Sequence, residues 1–282
     1  MKTLLTPTDF SEAAFDALHT ACDLARRTGA HVHALHVIEP IGGGAPSVGT
    51  GGGDGGMDQV FTLKLIEQAE RYMEELKAAS QFEGAKISTH VVMGSVLGSI
   101  ETFAAHHGVD LIVIGTEGVG SLDETLVGST TEKVVRRAAC PVLSVRDHAD
   151  EGAFAPRRIL LPTDGNERVA ELVKQVKTMQ GIFDAHVDLL MVNTPGNFQT
   201  SQAMRQKLAD FAERHAMHDY DTHVWNDRNT ERGIMHFAEE RGVDLIAMAT
   251  HGRQGLAHLF RGSIAEDVVN QTPRPVLTVK ID

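Results

Sequence analysis

The chain has 282 residues, 42% of them hydrophobic and 23% charged, enough for two domains of ordinary size that each bury a core. Residues 1–150 hold 11 basic against 20 acidic side chains, a balance of −9, and the remainder holds 15 against 18, a balance of −3. Such a surface repels phosphate backbones and anionic lipid, which disfavours nucleic-acid and membrane-surface roles.

Short apolar runs alternate with amphipathic stretches, the pattern of parallel strands covered by helices. In chain order this predicts a strand over 3–6, a helix over 11–27 that Ser11 can cap, and a strand over 30–38. Residues 42–56, almost all Gly, Ala, Ser and Thr, read as a loop that cannot bury enough to order itself. A helix over 58–79, a strand over 86–92, a helix over 96–107, a strand over 110–114, a helix over 130–138 and a strand over 142–146 follow. Residues 147–156 read as a linker, and then the series recurs. Strands are expected over 158–161, 186–192, 222–225, 244–249 and 276–280, with helices over 167–179, 199–215, 231–241 and 264–270.

The recurrence is literal. Leu5-Thr6-Pro7-Thr8-Asp9 returns as Leu161-Pro162-Thr163-Asp164, and Val109-Asp110-Leu111-Ile112 as Val243-Asp244-Leu245-Ile246. Gly128-Ser129 returns as Gly262-Ser263, and Pro141-Val142-Leu143 as Pro275-Val276-Leu277. The opening strands are 155 residues apart and the Gly-Ser pairs 134, so the second copy is 21 residues shorter, mostly through loss of the glycine-rich loop. Copies of this length mark two whole domains, 1–146 and 157–282, rather than a short-period solenoid.

In each copy the chemistry gathers where strands end. The strand at 110–114 runs into Gly115-Thr116-Glu117-Gly118, then nine residues, then Gly128-Ser129 opening a helix. Glycines admit a ligand to the backbone, successive amides form an anion-binding nest, and a helix start offers free N–H groups and partial positive charge. The dipole is worth only ~0.3–1 kcal/mol, so amide hydrogen bonds must do most of the holding. Ser129, Thr130 and Thr131 add hydroxyl donors. Asp9, ending the opening strand, can accept from an exocyclic amine or a sugar hydroxyl. Alone it reads better as a helix cap. Both features at matching strand ends, twice in one chain, favour a phosphate-bearing ligand at the switch point of an open sheet.

The Pro-Thr-Asp opening, the Gly-x2-Gly-x9-Gly-Ser loop and Glu132-Lys133-Val134-Val135 leading to Cys140-Pro141-Val142-Leu143 resemble the universal stress protein family in its tandem form. The resemblance implies two open five-stranded parallel α/β sheets of order 3-2-1-4-5, adenine-nucleotide alpha-hydrolase-like. It further implies ATP, or ADP or AMP, with Mg²⁺ bound only through the phosphates, and pairing through the last strands. Pro7, Thr8, Asp9 and Val37 would hold the adenine and ribose end. Gly115, Gly118, Gly128, Ser129 and Thr130 would hold the phosphates. In the second copy Pro162, Thr163, Asp164, Val192, Gly252, Arg253, Gly262, Ser263 and Ile264 take those places.

The copies depart from the pattern in opposite ways. The first sets Glu117, Asp123 and Glu124 in its phosphate loop. The second gathers His251, Arg253, His258 and Arg261 there, but Ala249 replaces the first glycine and is expected to put a methyl near the ligand. Both sites are expected to bind, unequally. No nucleophile elbow, Walker lysine or matched triad is present, so catalysis beyond slow ATP hydrolysis is not expected. The function expected is nucleotide-dependent signalling or stress response. A weak ATPase or phosphotransferase, and a scaffold with a remodelled cleft, are the alternatives. The 15 histidines include no zinc-like spacing with Cys22 or Cys140, so no metal site is expected beyond nucleotide-bound Mg²⁺. The two cysteines read as reduced thiols, and no leader or membrane-spanning run is seen. A cytoplasmic protein without membrane partners is expected. The two halves should form an internal pseudo-dimer, with homodimers of whole chains left open.

Overall fold

A computed structural model describes residues 1–40, 55–116, 128–146, 152–165, 167–251 and 264–281. The first half contains β1 (Thr3–Pro7), α1 (Glu12–Thr28), β2 (His31–Ile38), α2 (Gly55–Ala78), β3 (Lys86–Met93), α3 (Val96–His107), β4 (Leu111–Gly115), α4 (Ser129–Arg137) and β5 (Val142–Val145). The second contains β6 (Arg158–Pro162), α5 (Ala170–Phe183), β7 (His186–Asn193), α6 (Ser201–Arg214), β8 (Tyr220–Asn226), α7 (Thr230–Arg241), β9 (Leu245–His251), α8 (Ile264–Gln271) and β10 (Val276–Ile281).

Local chemistry sets the helix limits. Ser11 caps α1, its hydroxyl accepting from the Ala14 amide at 3.2 Å. Gly29, at φ 73°, ends α1 in the left-handed conformation that a side chain resists. Two helices start three residues from where they are expected. Gly55 and Gly56 lie in the first turn of α2, not in the preceding loop, whose residues 42–54 fall outside the described set. The segment expected to begin a helix at 167 is a 3-10 turn, Glu167–Val169, and α5 starts at Ala170 and runs on to Phe183.

The strands form one sheet of ten, ordered β3-β2-β1-β4-β5-β10-β9-β6-β7-β8. Within each half all pairings are parallel and the order is 3-2-1-4-5. The two five-stranded sheets are therefore not separate. β5 and β10 pair antiparallel with Leu143 opposite Leu277, two residues that correspond in the repeat. Around that centre the Ser144 hydroxyl donates to the Val276 carbonyl and the Thr278 hydroxyl to the Val142 carbonyl, at 3.1 and 3.2 Å. Pairing removes the unsatisfied edges that β5 and β10 would otherwise expose.

One face of the sheet carries a continuous core from both halves, with α1 and α2 beside α5 and α6. The opposite face carries two separate cores, one beneath α3 and α4 and one beneath α7 and α8. The linker contributes to the join. Phe154 is buried, its amide donates to Asp23 Oδ2 at 2.7 Å, and its ring meets Phe183 edge-on at 5.4 Å. Burial pushes the Cys22 thiol up to about 12 and the Cys140 thiol to about 11, so both stay protonated at neutral pH.

Candidate functional site

The repeated Val-Asp-Leu-Ile segment positions the floor of each site. Asp110 Oδ2 accepts from the Lys2 and Thr3 amides at 2.5 and 3.0 Å, and Asp244 Oδ2 accepts from those of Arg157 and Arg158, both at 2.9 Å. Each aspartate thus sets the register of the opening strand against its neighbour, a role that strand patterning alone did not suggest. Burial pushes the Asp110 carboxyl up, but the two amides, the chain's amino terminus and Lys2 outweigh it, and it titrates below the ordinary range.

β1 is the switch point, paired with β2 on one side and β4 on the other. Leu4 and Leu5 of β1 lie opposite Leu111 and Ile112 of β4, so the two strands end, at Pro7 and Gly115, on the same edge of the sheet. Pro7 and Thr8 are buried, and the Thr8 amide donates to the Leu35 carbonyl at 2.8 Å. Asp9 is exposed, and its Oδ1 accepts from both the amide and the hydroxyl of Ser11, at 3.1 and 2.5 Å. Asp9 therefore braces the residue that caps α1 while facing solvent at the strand end. The second copy repeats the turn. The Thr163 amide donates to the Leu190 carbonyl at 2.9 Å, and the Gly165 amide to the Thr163 hydroxyl at 3.0 Å. Pro162 and Thr163 are half-buried there and Asp164 is exposed. Gly165 has φ 84°, whereas the corresponding Phe10 holds φ 65° with a bulky side chain, a strained conformation. The Phe10 ring packs 4.5 Å from His36, whose Nδ1 lies 2.9 Å from the Thr8 carbonyl.

Two hydrogen bonds close the base of the loop after β4. The Gly128 amide donates to the Thr116 carbonyl at 2.6 Å, and the buried Thr131 hydroxyl donates to the Gly115 carbonyl at 2.6 Å. They bring Gly115, Gly128, Ser129 and Thr130 together beside the end of β1. Gly128 is the N-cap of α4 and no side chain caps it, so the first-turn amides of Ser129 and Thr130 have no capping side chain. Thr131 is a correction to the expected set of hydroxyl donors, because its proton is committed to Gly115. Gly118, Glu117, Asp123 and Glu124 lie outside the described residues, as do Gly252, Arg253, His258, Arg261, Gly262 and Ser263.

Gly115 is glycine for a reason the motif does not reveal. A Cβ there would lie 2.4 Å from the Ala13 carbonyl oxygen, in the first turn of α1. In the second copy the residue matching Ala13 is Arg168, in the 3-10 turn, and Ala249 is accommodated. The Ala249 methyl packs into the core shared with α5, whereas α8 lies on the other face. The expected methyl beside the ligand is therefore corrected: it points to the far side of the sheet from α8. Val37 and Val192, next to last in β2 and β7, are half-buried against the cores of α3 and α7, and Gly233 of α7 approaches Val192 so closely that a Cβ would lie 2.5 Å from its Cγ1. Ile264 opens α8 and is exposed.

The universal stress protein family matches the chain twice, over residues 1–146 and 156–280, and the chain belongs to that family. Two universal stress proteins of Methanocaldococcus jannaschii, MJ0531 and MJ0577, are each 32% identical to it, over 145 and 153 residues. Each match spans 51% of this chain, with 82% and 94% of the relative covered. The crystal structure of a universal stress protein from Archaeoglobus fulgidus aligns over 99% of this chain and 98% of its own, at TM-score 0.75 and 19% identity. That likeness concerns the fold, an α/β arrangement with a mostly parallel sheet flanked by helices. Among the described residues no helix is long and apolar enough to cross a membrane.

Proposed function

We propose that each half, taken as domains 1–146 and 157–282 about the linker 147–156, binds an adenine nucleotide at its switch point, and that occupancy drives a stress-response or signalling output in the cytoplasm. The observation that carries this reading is the clamp at the base of the loop after β4. It holds the uncapped start of α4 beside the end of β1, with exposed Asp9 on the adjoining turn. Backbone amides at Ser129 and Thr130 suit phosphate oxygens, and Asp9 suits an amine or hydroxyl of the nucleoside. ATP, with Mg²⁺ through its phosphates, is the leading ligand, and ADP or AMP the alternatives. With the Ala249 methyl directed away from α8, charge is what separates the sites. His251 at the end of β9 with Arg253, His258 and Arg261 in the second loop, against Glu117, Asp123 and Glu124 in the first, favour tighter polyphosphate binding in the second. The two halves act as an intramolecular pseudo-dimer.

Isothermal titration of ATP, with and without Mg²⁺, into the full chain and into Gly128→Glu and Gly262→Glu variants tests this. Each substitution is expected to remove one of two unequal sites. Stoichiometry unchanged by both substitutions would falsify the assignment. Retained ATP without turnover separates this reading from a weak ATPase.

A further inference from the structure

At the opposite edge of the sheet from the nucleotide crevices, the second half gathers ligand atoms that its first-half counterpart lacks. His186 opens β7 and Asp188 follows on the same face. Asp221, on the outermost strand β8, lies in register with Asp188. One donor atom from each of the three comes within 4.8 Å of the other two.

Buried polar atoms of two members are under-satisfied. Asp188 is 1% exposed, and its Oδ1 lies 2.8 Å from His223 Nε2. Its buried Oδ2 has no hydrogen bond, and Arg158 Nε lies 3.5 Å away. His186 Nδ1 lies 2.9 Å from Asp219 Oδ1, the contact that orients a ligating imidazole in carboxylate–histidine–metal arrangements. In the neutral tautomer whose Nδ1–H donates to Asp219, His186 Nε2 carries a lone pair. That nitrogen is buried without a hydrogen bond, 3.3 Å from Asp221 Oδ2. In that tautomer two electron-pair donors face each other beside a buried carboxylate oxygen whose nearest cation, Arg158, lies 3.5 Å away, a gathering of lone pairs that a bound cation would satisfy. Two atoms each ~2.0–2.1 Å from a tetrahedral zinc are separated by about 3.3 Å.

The first half serves as an internal control. At the four matching positions it has His31, His33, Ser88 and His90. There His33 Nδ1 meets His90 Nε2 and His31 Nε2 meets the Ser88 hydroxyl, both at 2.9 Å, so the groups satisfy one another without a carboxylate. Two of the four positions are carboxylates only in the second half.

We propose that His186 Nε2, Asp188 Oδ2 and Asp221 Oδ2 bind a first-row divalent cation, with Zn²⁺ as the reference ion and water completing the shell on the exposed Asp221 side. Imidazole with carboxylates suits Zn²⁺ and its neighbours better than Mg²⁺ or Ca²⁺. The metal takes the place of Arg158 on Asp188, and the guanidinium, already one-third exposed, moves into solvent. The site lies about 13 Å along β7 from Val192, four residues at ~3.3 Å each, and is separate from the nucleotide crevice.

The test is titration of chelator-treated full-length protein with ZnCl₂, with Co²⁺ visible absorption reporting tetrahedral coordination. One high-affinity ion per chain is expected. His186→Ala and Asp221→Asn should each weaken it at least tenfold, Arg158→Gln should tighten it, and His33→Ala should leave it unchanged. Asp221 is 64% exposed, so its variant retains the fold and isolates ligation from stability. No high-affinity ion in the wild type, or equal affinity in the wild type, His186→Ala and Asp221→Asn, overturns the proposal. ATP titration of the same variants is unaffected either way, so the two sites stand or fall separately.

Discussion

The clearest test of how this fold builds its crevice is Gly115→Ala in protein free of nucleotide. The added carbon would lie 2.4 Å from the Ala13 carbonyl oxygen and 2.6 Å from its carbon. Ordinary carbon–oxygen contacts fall near 3.3–3.6 Å, so the first turn of α1 must recede by about 1 Å. The clashing atoms are backbone and cannot rotate away, which places the cost toward the upper end of the ~1–3 kcal/mol typical of overpacking. Loss of glycine's freedom in the unfolded chain returns roughly 0.4–1 kcal/mol. A net destabilisation of about 1.5–2.5 kcal/mol is expected, a fall of roughly 4–8 °C in the melting temperature of the first half. The reciprocal change Ala249→Gly should cost about 1 kcal/mol or less, through backbone entropy and a partly buried methyl. Thermal and urea unfolding followed by circular dichroism measure both. If Gly115→Ala unfolds like the wild type without nucleotide yet fails to bind ATP, the glycine serves the ligand rather than the helix, and the packing argument is refuted.

Acid stability should fall in two steps. Burial, with His31, His90 and His107 nearby, holds His33 down to about 4 from an ordinary 6.5. It stays neutral in the fold while the unfolded chain takes up a proton, so its contribution is complete above pH 6.5 and declines as pH falls toward 4. Asp110, held below its ordinary 3.8, contributes above that value and loses its contribution as pH falls through its lower folded value. Proton NMR titration of His33 and urea unfolding of Asp110→Asn across pH check the pair. The Asn variant should lose about 1 kcal/mol at pH 7, discounted for exposure, and converge on the wild type in strong acid. Thr131→Val, which strips the donor from the Gly115 carbonyl, should cost about 1–2 kcal/mol and weaken ATP binding, whereas Thr131→Ser retains both. A valine variant with wild-type stability and affinity would show that the clamp is dispensable.

Much of this architecture is legible in the residues because it is written twice. Alternating apolar runs place every strand, and the resemblance carried by the Pro-Thr-Asp openings and the glycine loop implies the order within each half. The offset of 134 residues that aligns Leu143 with Leu277 also marks the centre of the join. What pattern alone missed is contact at a distance. Gly115 reads as a ligand-facing glycine, and only the approach of α1 shows why a methyl is excluded. Thr131 reads as a phosphate donor because its partner, the Gly115 carbonyl, is brought to it by the fold. Asp110 and Asp244 looked like strand residues, since the two amides each secures lie more than 80 residues away. Asp188 sits inside an apolar run, and its pairing with Asp221 becomes apparent only when β7 and β8 are set beside β2 and β3.

The seam along β5 and β10 changes what selection can do with this protein. A self-associating single domain alters both sides of its contact with each substitution, and its pairing weakens on dilution. Tethered halves meet at an effective concentration set by the linker, whatever the amount of protein. Arg136 can therefore bridge Glu132 and its repeat mate Glu266 while Asn270 stands in the position reciprocal to Arg136. Freed from having to match itself, each half can specialise, one holding His33 and Ser88 where the other holds Asp188 and Asp221.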